Sequence, residues 1–272
     1  MSNPVLIPVL IVLLLVIASL LGAARFAGRA QRLRRRLLAG APPRDVAAAL
    51  PPKVRDFALR ADARPDDLAH SLGFSQRAEM QARPGGPWQL LDATQTVATG
   101  APGFVWQAEQ AFGPLSRLQV IDAFANGSGC LSVQVLGLIP AVRARGADID
   151  RGEAMRYLAE LPWCPDAILG NPSLVWRMLD EDWAEVSLAG ASDVAVRFRF
   201  DTAGDIAEMR ARDRPATDPA GKPVRYDWQG YFRDYRRVGP RRVPVEAEVG
   251  YVYTDGYRAY FQCRIIGYSA AH

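Results

Sequence analysis

The chain opens on an unbroken apolar run. Val5 to Ala24 reads VLIPVLIVLLLVIASLLGAA, and no charged residue precedes Arg25. As a helix rising about 1.5 Å per residue, the run spans about 30 Å, the thickness of a bilayer's hydrocarbon core. Pro8 falls in the first turns, where its missing N–H costs least. The pattern predicts a transmembrane helix over 1–24. A buried helix of a soluble protein fits less well, because the run is uniformly apolar. A cleaved signal peptide is the other rival. It would use the small residues around Ala18-Ser19 and Gly22-Ala23-Ala24, but the positive charge that precedes such a segment is missing. No cysteine follows the run, so a lipoprotein-type lipid anchor is not expected.

Residues 25–44 form a basic juxtamembrane linker, helical at first and broken by Ala41-Pro42-Pro43. The remainder, 45–272, reads as one β-rich globular domain. It begins with two short helical pieces, 45–50 and 53–60, and Val54, Phe57 and Ala58 share a face of the second. From Phe74 the period changes to two. Strands are predicted at 74–82, 88–99, 103–112, 117–125 and 128–138. Turn material separates them, including Gly113-Pro114 and Asn126-Gly127. A helix then interrupts at about 151–161. Asp150 is read as its N-cap, Glu153 as the partner in a capping box, and Pro162 as its stop. Met155, Leu158 and Ala159 form its apolar face, expected against the concave side of the sheet. A second helical piece is predicted at 165–169.

The alternation resumes with strands at 174–179, 183–189, 193–200, 205–212, 224–237, 242–253 and 258–268. Val194, Val196, Phe198 and Phe200 share one face, with Arg197 and Arg199 opposite. Asp255-Gly256 is a further hairpin signal. So many antiparallel strands in one sheet must curl. The predicted fold is therefore mainly β (α+β), a curved half-barrel-like antiparallel sheet with a helical insertion on its concave side.

Charge changes the picture at one place. The sequence pI is about 9.1, which invites a nucleic-acid reading. Residues 1–44 hold seven of the arginines and no acidic residue, which leaves 26 basic against 29 acidic side chains in the rest. The globular part is slightly acidic, so no nucleic-acid partner is expected. Arg25, Arg29, Arg32, Arg34, Arg35 and Arg36 all follow the apolar run. Flanking basic residues stay on the cytoplasmic side. The expectation is a single-pass protein of the bacterial inner membrane with a cytoplasmic domain, the periplasm being the alternative. The same arginines are expected at the membrane surface. On anionic headgroups each contributes on the order of 1 kcal/mol, unless they only set topology.

Several chemistries are absent. The three cysteines are dispersed, with no CxxC pair, and there are only two histidines, so neither a metal site nor a cofactor is expected. Three free thiols suit a reducing compartment better than one disulfide and a spare thiol. No GxSxG, phosphate loop or HExxH is present, and no catalytic residue is assigned. Asp180-Glu181-Asp182 reads as a solvated turn.

The block Arg151-Gly152-Glu153-Ala154-Met155-Arg156-Tyr157-Leu158-Ala159-Glu160-Leu161-Pro162-Trp163 resembles the signature of an uncharacterised bacterial family, a domain of unknown function. The resemblance extends to Pro102–Trp106, Leu136-Gly137-Leu138-Ile139-Pro140, Tyr231–Tyr235 and Arg242-Val243-Pro244, and covers roughly 50–268. The family carries no established activity, so no catalytic residue follows from it. The strand–helix–strand layout is also similar to the lipoprotein-carrier half-barrel, which implies a cup for acyl chains.

Three functions compete. The first is a membrane-anchored domain that binds a lipid or other apolar small molecule, with Trp106, Met155, Leu158, Trp163, Trp176 and Trp228 as the candidate lining. Such tryptophans are more often plain core. The second is a scaffold presenting a β surface to another membrane protein. The third is an enzyme using carboxylates at Glu153 and Glu160. With Arg156 these form the charged group of the helix, which also serves simply to cap and salt-bridge it.

Overall fold

The computed structural model describes residues 6–40, 42–112, 115–218 and 220–272. Val5, Ala41 and the predicted Gly113-Pro114 turn lie outside them. A single helix, α1, runs from Leu6 to Leu38, and a short helix, α2, covers Pro52–Arg60. Six strands follow as a meander: β1 Ser71–Gln81, β2 Trp88–Ala98, β3 Gly103–Phe112, β4 Leu115–Ala125, β5 Ser128–Val135 and β6 Ile139–Ala144. Helix α3, Ala147–Ala159, a 3-10 turn at Leu161–Trp163 and helix α4, Pro165–Gly170, form the insertion. Seven strands complete the chain: β7 Leu174–Met178, β8 Trp183–Leu188, β9 Ala191–Phe200, β10 Ile206–Thr217, β11 Pro223–Val238, β12 Arg241–Tyr253 and β13 Gly256–Ala271.

All thirteen strands belong to one antiparallel sheet, in the order β6-β5-β4-β3-β2-β1-β13-β12-β11-β10-β9-β8-β7. The chain enters the sheet at its centre and walks out to the β6 edge. It crosses the face through α3 and α4, then walks back from the β7 edge until β13 pairs with β1. Helix α3 touches β5 and β9 at once. On a flat sheet those strands would stand about 43 Å apart, nine spacings of about 4.8 Å, whereas a helix with its side chains is about 10 Å across. The sheet is therefore strongly curved around α3, as the strand count predicts.

The expected contacts of α3 are present. Met155, Leu158 and Ala159 are buried on the concave side, with Leu158 wholly inaccessible. The inward side chains of β9, namely Val194, Val196, Phe198 and Phe200, are all buried. Phe57 of α2 meets Phe200 and Tyr235 edge-on, with ring centroids 6.1 Å away in each case. Asp180 makes the expected turn, its carboxylate accepting from the N–H groups of Asp182 and Trp183.

Three local expectations are corrected. Helix α3 starts at Ala147 behind Gly146, so Asp150 is not its N-cap and no capping box forms. Asp150 instead accepts a hydrogen bond from the Gly129 N–H at 2.7 Å and ties the helix to β5. The predicted strand 128–138 is two strands, β5 and β6. Leu136 and Gly137 both take positive φ, +50° and +67°, and turn the chain. The segment 25–44 is helical as far as Leu38, as expected, but it does more than link and rests on the convex face. Phe26 and Ala30 pack on Ile121, and Leu37 joins Val105, Ala123 and Cys130. A linker reading misses this because Phe26, Ala30, Leu33 and Leu37 make a narrow apolar stripe among arginines.

Candidate functional site

The residues under α3 form the most unusual chemistry in the fold. On three strands of one wing, β1, β2 and β4, a polar side chain takes an inward position between two apolar ones. Gln76 lies between Phe74 and Ala78 on β1, Gln95 between Ala93 and Val97 on β2, and Asp122 between Val120 and Phe124 on β4; all nine are buried. Period-two geometry puts i, i+2 and i+4 on one face, so these three groups point at the helix.

From α3, Arg156 reaches into them. Its Nη1 donates to Asp122 Oδ2 at 2.6 Å and its Nε to Glu160 Oε1 at 2.8 Å. Nη2 approaches Gln95 Oε1 at 3.4 Å, and the Gln95 amide donates to Glu160. The guanidinium lies over Phe104 and Trp106, 4.8 and 5.0 Å from their ring centroids. Trp106 Nε1 donates to Gln76 Oε1 at 2.8 Å. On the opposite wing Arg214 donates to the Gly152 carbonyl at 2.6 Å and stacks 4.0 Å above Trp228. Trp228 in turn donates to Tyr260, which stacks on Tyr251.

The carboxylates are not fully satisfied. Asp122 Oδ1 and Glu153 Oε2 are buried acceptors without a donor. Burial, and next the Asp122 carboxylate, push Glu153 up to about 8. Asp122, within hydrogen-bonding reach of Glu153, is also raised, chiefly by burial. A proton on Glu153 supplies the missing donor and leaves two arginines balancing two carboxylates. The folded chain holds this proton more tightly than the unfolded chain, where the group titrates near 4.5. The resulting stability is complete below that value and is lost as pH rises to about 8. The melting temperature should therefore fall between about pH 5 and 8. Glu153→Gln should flatten that slope, and an unchanged slope would refute the assignment.

Trp106, Met155, Leu158 and Trp228 line the space between α3 and the sheet and fill it. Trp163 is buried beside them, its Nε1 donating to the Pro244 carbonyl at 2.8 Å and its ring meeting Phe232 and Phe74. Trp176 is apart from this group, half-buried on the edge strand β7 and stacked on Phe198. Glu153, Arg156 and Glu160 converge with Asp122 and Gln95, which the sequence reading did not single out. Nor did it single out Arg214, which follows a bulge after Ala211 that turns it inward. The six arginines that follow the apolar run lie along α1; Arg25, Arg32, Arg35 and Arg36 are exposed, and Arg29 and Arg34 are half-buried.

Open space remains at the start of α3. A cleft of 690 Å³ separates α3 and the β4–β5 turn from β8, β9 and β10, bordered by Phe124, Ala154, Leu188 and Val194 and rimmed by Asp148, Arg151, Asp193 and Arg225. Arg151 bridges it to Asp193 at 2.5 Å. A second cleft, of 490 Å³, adjoins it along β9–β11 and reaches Trp228. Among the described residues, no group of three or more His, Cys, Asp or Glu has the arrangement of a metal site. The three cysteines are free and buried. Helix α1 is long and apolar enough to cross a membrane, and only 6% of its apolar window is buried.

Comparison with known proteins found the following similarities. A LolA superfamily protein from Nitrosomonas europaea is similar over 80% of this chain and 94% of its own, with 10% identity and a TM-score of 0.43. A putative outer membrane lipoprotein-sorting protein domain from Vibrio parahaemolyticus covers 82% and 93%, with 10% identity and a TM-score of 0.46. A DUF1329 family protein from Desulfovibrio piger covers 83% and 93%, with 10% identity and a TM-score of 0.45. No match was found among curated proteins. The family profile described as "Family of unknown function (DUF6544)" matches residues 41–263, most of the chain and all of the half-barrel except the end of β13. The resemblance to an uncharacterised family is thereby borne out, and the chain belongs to this family of unknown function.

Proposed function

We propose that the protein is a membrane-tethered half-barrel that receives an apolar chain, such as a lipid acyl chain, on its concave face when α3 and α4 move aside. The observation that carries this reading is the polar network beneath α3. A helix that merely filled a core would be held more firmly by apolar side chains, because burying ion pairs costs several kcal/mol per ion. Here Asp122, Glu153 and Glu160 gather around Arg156, whose guanidinium lies over Phe104 and Trp106, and Asp122 Oδ1 and Glu153 Oε2 have no donor but a proton on Glu153. Such an interface is specific in position and weak in net energy, which suits a plug that must leave. The aromatic surface behind it, Trp106, Phe104 and Trp228, would meet the ligand, and the 690 Å³ cleft beside α3 gives an entry of ordinary ligand-site size. Lipid extraction and native mass spectrometry of the purified full chain test this. Stoichiometric apolar ligand is the expected result, and a chain that carries none and takes up none refutes it.

A scaffold role for a membrane partner is the second reading, and the filled interior favours it. It predicts that the plug never opens.

The anchor is read from α1, whose residues Val9 to Leu15 stand exposed away from the domain. With six arginines after the apolar run and none before it, the domain is expected in the cytoplasm. Buried free thiols agree with that side. A C-terminal fusion should give fluorescent green fluorescent protein and inactive alkaline phosphatase; the opposite pair would place the domain outside.

A further inference from the structure

The β5–β6 hairpin is apolar where a soluble hairpin would be polar. Leu136, Leu138, Ile139 and Val142 are all exposed, Ile139 by 58%. Every residue of β6 before Ala144 faces solvent. The tip does not stand alone, because it is seated against α1. The Ser19 hydroxyl donates to the Leu136 carbonyl at 2.5 Å. Gln134 Nε2 reaches the Gly22 carbonyl at 3.5 Å. Gly22 and Gly137 approach so closely that a Cβ on either would collide with the other segment's backbone.

Depth decides what this surface meets. Ser19 lies five residues before Ala24, so it is about 8 Å inside the arginine end of the apolar run. A hairpin touching Ser19 and Gly22 must sit at that level whenever α1 crosses a bilayer. The helix cannot swing the tip away, since Phe26, Ala30 and Leu37 fix its next turns to the convex face. The Ser19 bond has the same meaning. Irregular backbone at hydrocarbon depth needs an internal donor for its carbonyl, and Ser19, buried itself, supplies one to Leu136. Beyond the apolar tip come Arg143 and Arg145, both exposed, and Arg143 lies in register with Ser132 and Ile121, on which Phe26 packs just past Ala24.

We infer that the tip of this hairpin, Leu136 to Ile139, inserts into the acyl region of the same bilayer that α1 spans. This rests on the reading of α1 as a membrane anchor. Inserted beside α1, the hairpin makes a second contact and fixes the orientation of the half-barrel relative to the lipid.

The test uses the full chain in phosphatidylcholine–phosphatidylglycerol vesicles. A polarity-sensitive fluorophore is placed at Ile139→Cys, at Leu14→Cys in α1, or at Val175→Cys, an exposed apolar site on the β7 edge; the buried native thiols of the unmodified chain give the labelling control. The expected result is blue-shifted emission, quenched by doxyl-labelled lipid, at 139 and 14, with water-like emission at 175. Water-like emission at 139 with a quenched probe at 14 overturns the hairpin contact and leaves the anchor standing. Water-like emission at both overturns the anchor and the contact with it. Equal quenching at 139 and 175 means the domain lies on lipid without a preferred edge, which also overturns the proposal.

Discussion

Replacing Leu158 by aspartate is expected to cost about 4 kcal/mol or more. Leu158 has no accessible surface. It faces the concave side from the last turn of α3, a helix that touches both wings of the sheet. Removing its side chain alone forfeits about 2–5 kcal/mol of burial and packing. The aspartate adds an acid that must either lose its charge or draw water into the core. Chemical denaturation of the full chain in detergent measures this directly. A loss under about 1 kcal/mol would mean that the α3 interface is open to water, contrary to the packing described.

Replacing Arg156 by alanine should be nearly as damaging, about 3–5 kcal/mol, for an electrostatic reason. Its guanidinium is the cation between Asp122 and Glu160, with Glu153 beside them. Without it, buried carboxylates repel and must take up protons. The loss should therefore be larger at pH 8 than at pH 5. The combined variant Asp122→Leu, Glu153→Gln, Arg156→Leu, Glu160→Leu, Arg214→Leu should behave differently. It removes the charges together and is expected to be neutral or more stable by about 1–4 kcal/mol, provided the volumes repack. If the network exists to keep the plug releasable, that variant will be more stable and will lose uptake of apolar ligand. A combined variant as unstable as Arg156→Ala would show that the charges hold the fold together and are not a release device.

The features legible in the sequence are those written in local periodicity. Nearly every strand was visible from alternation and turn residues, because an inward stripe such as Val194, Val196, Phe198 and Phe200 must be apolar to be buried. Pro162 stops α3 where expected. Asn126 and Gly127 take the positive φ values of +52° and +75° that a tight hairpin needs. The features missed depend on what stands opposite. Asp150 has the chemistry of an N-cap but faces the Gly129 N–H across a gap in the sequence. The Leu136-Gly137 turn hides within an apolar run, because Leu136, Leu138 and Ile139 are apolar where turn residues are usually polar. Asp122, Gln95 and Gln76 could have been found: each is polar at an inward phase, a departure that a strict reading of strand alternation exposes. Arg214 could not, since a bulge shifts its phase. Glu153, Arg156 and Glu160 stood out in the helix, but nothing local says that their partner is Asp122, 34 residues before Arg156.

The most direct test of the account asks where acyl chains touch the protein. The full chain is placed in vesicles containing a phospholipid with a diazirine in its acyl chain, irradiated, digested and mapped by mass spectrometry. Adducts are expected on α1 and also on the concave face, at Trp106, Met155, Leu158 or Trp228, with the concave adducts lost in the combined apolar variant. Adducts confined to α1 and the β5–β6 hairpin, with none on the concave face, would contradict it.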